Sequence, residues 1–132
     1  MFLSAQSFAD LEGKALSCIF KNTDGRVFHN AYFFEKNSEV TYHRLEREKD
    51  RLKYKYQLTF KYEVDSDFIT LTDKGGSYKL NRKTLMLELS KKDGLYEKCQ
   101  VHSSIKRMKK YMKKIQKQEQ EKYNKTLEGN KI

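Results

Sequence analysis

Cys18 and Cys99 are the only cysteines in this 132-residue chain and its most reactive side chains. Cys18 shares an alternating face with Leu16 and Phe20, and Cys99 shares one with Leu95 and Val101. Both sulfurs are therefore expected to point inward. If the two segments become neighbours, a disulfide would close a long loop, for which the chain-entropy model gives about 4–5 kcal/mol at best. The same pattern suits two reduced core cysteines, which behave as small hydrophobes. An oxidising compartment selects the first state and a reducing one the second.

Other chemistry is sparse. His29, His43 and His102 have no zinc-type spacing to one another or to the cysteines, so no metal site is expected. Asp65, Asp67 and Asp73 straddle a short apolar run without the pattern of a calcium loop, and read as turn formers. Cys99 and His102 fall on opposite faces of one extended segment, which argues against a thiol–imidazole pair. The sequence has no glycine-rich phosphate loop, no nucleophile elbow and no His-Glu zinc motif. The expectation is a non-catalytic protein without a cofactor.

The third group of chemical interest is basic. Ten of the 28 Lys/Arg but only three of the 18 Asp/Glu fall from Ser103 onward. That part carries +7 of the formal +10, against +3 for residues 1–102. Ile105, Met108, Met112 and Ile115 recur at three- and four-residue steps, which predicts a helix with one apolar stripe. Lys106, Arg107, Lys109, Lys110, Lys113, Lys114 and Lys117 fill its other faces. They are the candidate anion-binding residues, and Lys53, Lys55 and Lys61 would add to the positive face. Such an array neutralises phosphates, and its binding falls steeply with salt. The partners implied are nucleic acid or an anionic membrane surface. The stripe is narrow and lacks Trp and Phe, which weakens the membrane option. The plainest alternative is a solvated helix whose stripe packs on the rest of the protein.

The elements that position these groups are mostly strands. Extended runs are predicted at 16–20, 27–34, 40–47, 52–64, 68–72, 77–80, 84–89 and 95–102. Asn22-Thr23-Asp24-Gly25, Asp73-Lys74-Gly75-Gly76 and Lys92-Asp93-Gly94 are hairpin signals between them. In 52–64, Leu52, Tyr54, Tyr56, Leu58, Phe60, Tyr62 and Val64 alternate with polar residues, so one face reads as apolar throughout. Asn81-Arg82-Lys83 marks a turn, with Arg82 free to fork onto a carboxylate or backbone carbonyls. About eight short strands with tight turns favour an antiparallel meander, closed or nearly closed into a small barrel. The expected fold is mainly β, with a C-terminal basic α-helix.

The chain divides into residues 1–9, a β-barrel-like domain at 10–102 and a basic helical tail at 103–132 that is polar beyond Gln118 and frayed at its end. Ser7 and Ala9 occupy the −3 and −1 places of a signal-peptidase site, so residues 1–9 read as the remnant of a signal peptide. A basic start and an apolar core are missing, which leads to the expectation that the native gene extends upstream of Met1. An upstream signal implies a periplasmic or secreted protein; without one it is cytoplasmic. No stretch approaches the roughly 18 consecutive apolar residues that would span a bilayer as a helix.

Gly13-Lys14-Ala15-Leu16-Ser17-Cys18, Tyr78-Lys79-Leu80-Asn81-Arg82-Lys83-Thr84-Leu85 and Lys98-Cys99-Gln100-Val101 resemble segments of small exported proteins from streamlined marine alphaproteobacteria. The resemblance covers roughly residues 10–102 and excludes the tail. It implies a secreted β-domain in which Cys18 and Cys99 are paired, and it lends no catalytic residues. The chain departs from that group in its incomplete signal and its long Lys-rich end. The functional expectation is a non-catalytic exported barrel that binds a small molecule or a protein, or serves a structural role in the envelope. The alternative is a cytoplasmic nucleic-acid-associated protein that uses the Lys-rich helix.

Overall fold

The computed structural model describes residues 11–90 and 95–129. Residues 1–9, read above as a signal remnant, and the Lys92-Asp93-Gly94 turn lie outside the described residues. Eight strands follow in order: β1 (Ala15–Lys21), β2 (Val27–Phe34), β3 (Glu39–Glu48), β4 (Arg51–Val64), β5 (Phe68–Asp73), β6 (Gly76–Asn81), β7 (Met86–Ser90) and β8 (Leu95–His102). A helix, α1 (Ile105–Gly129), ends the described chain. Each strand pairs antiparallel with the next, and β8 returns to β1, so the sheet is a closed barrel as its turn spacing predicts. No helix among the described residues is long and apolar enough to cross a membrane.

Local chemistry accounts for the turns. Gly25 takes φ 84° in the β1–β2 turn, a conformation open to glycine at no steric cost. The Asp65 carboxylate accepts the Asp67 and Phe68 amides at 2.8 and 2.7 Å, and Asp73 accepts the Gly75 amide at 2.7 Å. These aspartates are therefore turn formers. Asn81 Oδ1 accepts the amides of Lys83 and Thr84, and Arg82 donates to the Asp65 carbonyl at 2.7 Å.

The barrel closes at one end and opens at the other. Leu11 and Leu85 pack on the interior cluster near the ends of β2 and β6. Gly13 N–H bonds the Phe34 carbonyl, and the Leu85 carbonyl receives the Cys99 amide. Leu85 is held at φ 59° by this arrangement, so β7 begins at Met86 rather than at Thr84 as its alternation suggests. The interior is filled at mid-height by Leu16, Tyr32, Phe34, Tyr62, Leu71, Leu80 and Leu87. Cys18 lies opposite Cys99 in the β1–β8 register and the two form a disulfide.

The long strand β4 corrects a simple reading of its alternation. Thr41 faces Leu58 and Val40 faces Phe60, which leaves Thr59 as an extra residue. A bulge of one residue exchanges the two faces of a strand. Below it, Phe60 and Tyr62 face the barrel interior; above it, Leu52 and Tyr54 face outward against α1. The apolar face of β4 thus serves two cores in succession. β4 pairs with β5 only through residues 61–64, so the upper part of the β3–β4 hairpin stands beyond the β5–β6 hairpin.

α1 backs that tall hairpin. Met108 and Met112 are fully buried against Ala15, Ala31 and Leu45, with Ile105 and Ile115 beside them, so the predicted stripe packs on the barrel wall. The Ser104 hydroxyl accepts the Arg107 amide at 3.2 Å and caps the helix. The helix continues to Gly129 and is anchored past Gln118, while the fraying expected at Gly129-Asn130 reaches beyond the described residues. Gln120 accepts the Leu52 amide at 2.7 Å, and Gln116 donates to the Leu52 carbonyl at 2.8 Å. Arg47 lies over the Tyr123 ring at 4.0 Å. The positive face expected from Lys53, Lys55 and Lys61 is largely neutralised. Lys53 pairs with Glu48, Lys55 with Glu46 and Glu48, and Lys61 with Glu39.

Candidate functional site

A cleft of about 800 Å³ runs from the open end of the barrel to the outer side of the β3–β4 hairpin, where Leu45, Leu52 and Glu119 also line it. Phe20 and Phe28 form one lip, with rings stacked at 6.0 Å between centroids, and Leu89 lies among the lining residues. Tyr42, Arg44 and Glu46 from the tall hairpin line it as well. Arg44 binds Glu46 through Nε and Nη2 at 2.9 and 2.7 Å. The lips are thus unlike: one is aromatic and the other is a charged pair held in place.

At the base of the cleft lies a hydrogen-bonded group of four side chains. Glu97 points inward from β8 on the same face as Cys99 and is only 2% exposed. The Tyr32 hydroxyl donates to Glu97 Oε1 at 3.0 Å, and Asn30 Nδ2 donates to Oε2. The Tyr42 hydroxyl donates to Asn30 Oδ1 at 2.8 Å. Tyr32 and Tyr42 also meet ring to ring at 5.4 Å. Burial raises the Glu97 carboxyl above its ordinary range, while the Asn30 and Tyr32 hydrogen bonds oppose the shift. Burial and then the Glu97 charge raise the Tyr42 phenol to about 12. The group therefore offers fixed polar atoms beneath an apolar lip, the usual make-up of a small-molecule site.

A second concentration of titratable groups lies outside the barrel wall. His29, His43 and His102, scattered in sequence, all sit beside or beneath α1. His43 Nδ1 is 2.7 Å from the Tyr54 hydroxyl, and His102 Nε2 is 2.7 Å from Ser17 Oγ. Nε2 of His29 and of His43 is buried without a hydrogen-bond partner. Burial, followed by the Lys109 charge, lowers His43 to about 4, with Glu35 opposing. Burial is also the leading cause of the lowered values of His29 and His102. Among the described residues, no three His, Cys, Asp or Glu side chains gather as metal ligands.

Among the described residues, those singled out by sequence have definite places. Cys18 and Cys99 meet at the β1–β8 seam. His102 points outward and Cys99 inward, so they form no catalytic pair. Lys106, Arg107, Lys109, Lys110, Lys113, Lys114 and Lys117 are all exposed on α1, and Lys109 approaches the Tyr56 ring at 6.0 Å. They form a surface, not an enclosed site. Sequence reasoning missed Glu97, Asn30, Tyr32 and Tyr42. The available signal was Glu97 itself, a carboxylate on the inward face of a strand beside Cys99.

No protein-family model, curated protein or solved structure matches the chain.

Proposed function

We propose that the protein is an exported, non-catalytic barrel that binds a small molecule in its open mouth. The observation that carries this reading is the cleft whose base is the buried Glu97–Asn30–Tyr32–Tyr42 group. An eight-stranded barrel is just wide enough to be filled by side chains or to hold one small ligand. Here the closed half is filled and the mouth is free. The Cys18–Cys99 disulfide supports a periplasmic or secreted address, because such bonds persist in oxidising compartments. Resemblance to exported marine bacterial proteins points the same way.

The test uses the uncharged fluorophore N-phenyl-1-naphthylamine with the oxidised full chain. Saturable fluorescence enhancement that Phe28→Glu diminishes supports binding at the mouth. No enhancement, or enhancement indifferent to Phe28→Glu in a correctly folded variant, overturns it.

The Lys-rich face of α1 favours a second reading, a polyanion-binding protein. Among the described residues, Lys122–Glu119 is the one ion pair on α1. Salt-sensitive binding of generic DNA or RNA, lost when Lys106, Arg107, Lys110, Lys113 and Lys114 become Gln, would carry that reading. Absence of binding at low salt would end it.

A further inference from the structure

The base of the mouth cleft has an unbalanced charge. Glu97 is withdrawn from water, and its two hydrogen-bond donors, Tyr32 and Asn30, are both neutral. Among the described residues no Lys, Arg or His side chain bonds it. Of the three arginines that line the cleft, Arg26 is exposed to solvent and does not bond Glu97, while Arg44 and Arg47 are committed, as are Lys53 and Lys55 on the neighbouring strand. Arg44 is bound to Glu46, Lys55 to Glu46 and Glu48, Lys53 to Glu48, and Arg47 to the Tyr123 ring. A buried carboxylate without a counter-charge is costly unless it takes a proton or receives a cation.

The geometry points to a ligand of definite class: we infer that the cleft binds a small organic cation, a protonated amine on an aromatic or aliphatic body, with Glu97 as its counter-ion. The inference rests on the cleft being a ligand site. Phe20, Phe28 and Leu89 supply an apolar wall for the body of such a ligand. Asn30 and Tyr32 hold the carboxylate in one orientation, so little order is lost when the ion pair forms. An anionic group seated at the base, beside Glu97, would meet like charge. The raised affinity of the Glu97 carboxyl for its own proton adds a signature. When an ammonium ion binds, the acid form gives up that proton to solvent and the carboxylate pairs with the ligand.

The experiment is calorimetric titration of the oxidised full chain with 2-phenylethylamine and with its uncharged analogue 2-phenylethanol. The amine is expected to bind about tenfold tighter or better, in line with a charge-assisted hydrogen bond. Near about pH 5, close above the ordinary glutamate range, its binding heat should vary with buffer ionisation enthalpy, reporting proton release. Glu97→Gln keeps the shape and removes the charge, and should abolish both the preference and the proton release. Tyr32→Phe removes one donor and keeps the charge, and should retain the preference. Equal or tighter binding of the alcohol overturns the inference, as does an amine preference that survives Glu97→Gln. Loss of the preference in Tyr32→Phe as complete as in Glu97→Gln also overturns it, because the group would then act only through its structure. If N-phenyl-1-naphthylamine enters the mouth while the amine shows no advantage, the inference fails and the ligand-binding reading stands. If neither probe binds, both fall.

Discussion

Glu97 on the inner wall of the barrel and His43 on the outer wall are both buried, and burial moves them in opposite directions. The carboxyl is pushed up and the imidazole down to about 4. In each case burial favours the uncharged form. The surroundings differ as much as the shifts. Inside, every polar atom of the Asn30–Tyr32–Tyr42–Glu97 group serves a neighbour. Outside, Nε2 of His29 and of His43 lies idle under a lysine-rich helix. The inner cluster is fully hydrogen-bonded at the base of a cleft, whereas the outer one keeps unpaired nitrogens away from water. The comparison separates a candidate site from a seam.

Breaking the covalent link in the inner wall should have the largest effect. Removing the disulfide by Cys18→Ala with Cys99→Ala is expected to cost about 4–5 kcal/mol in the chain-entropy model. Urea unfolding of the oxidised protein and the double variant measures it. A loss under about 1 kcal/mol would mean that the reduced chain already holds its ends together. Next comes the outer seam. Met108→Ala or Met112→Ala should cost about 2–5 kcal/mol, since both side chains are fully buried. Binding at the mouth should be unchanged in these variants while they remain folded. A parallel loss of mouth binding would show that the two regions are one unit.

The pH dependence sharpens the contrast further. His43 has a folded value below its unfolded one, so its contribution is present above about 6.5 and lost as pH falls through about 4. The loss should be on the order of 3 kcal/mol, appearing first as hydrogen exchange along α1. His43→Gln should flatten that acid limb. Glu97 has the reverse sign. Its folded value is raised, so its contribution is present below the ordinary glutamate range and lost as pH rises through the folded value. Glu97→Gln should remove this second limb and leave the first intact. The smallest effect is expected at Gln120, whose side chain serves the Leu52 amide and the Asp50 carbonyl. Gln120→Ala should cost about 1 kcal/mol, read as a small fall in Tm.

What was readable in the sequence follows the range of the interaction. Turns such as Asp24-Gly25 and the Asx-type bonding of Asn81 are local, and their residues announced them. The meander and the inward cysteines followed from alternation alone. The bulge at Thr59 was hidden, because the alternation of β4 continues through it unbroken and only pairing with Val40 and Thr41 reveals the change of face. Leu85 looked like a strand residue because its φ of 59° goes with a bond to the Asn81 carbonyl four residues back and one from the Cys99 amide across the sheet, and the latter leaves no trace in its neighbours. The anchored end of α1 was obscure because polar side chains, Gln116, Gln120 and Tyr123, hold it instead of an apolar stripe. The group at the base of the cleft escaped for a similar reason. Its members come from β2, β3 and β8, and only barrel closure brings them together.

The link between the first and last strands has a mechanical consequence. Cys18 and Cys99 are 81 residues apart in sequence, and both chain ends leave from the strands they join. Tension applied at the two ends would pass through that one bond and bypass nearly the whole barrel. Roughly 280 Å of extended chain would stay coiled out of reach until the bond was reduced. Pulled as a tether, the oxidised protein should lengthen only by its helix and the segments outside the Cys18–Cys99 loop, while the mouth keeps its shape under load.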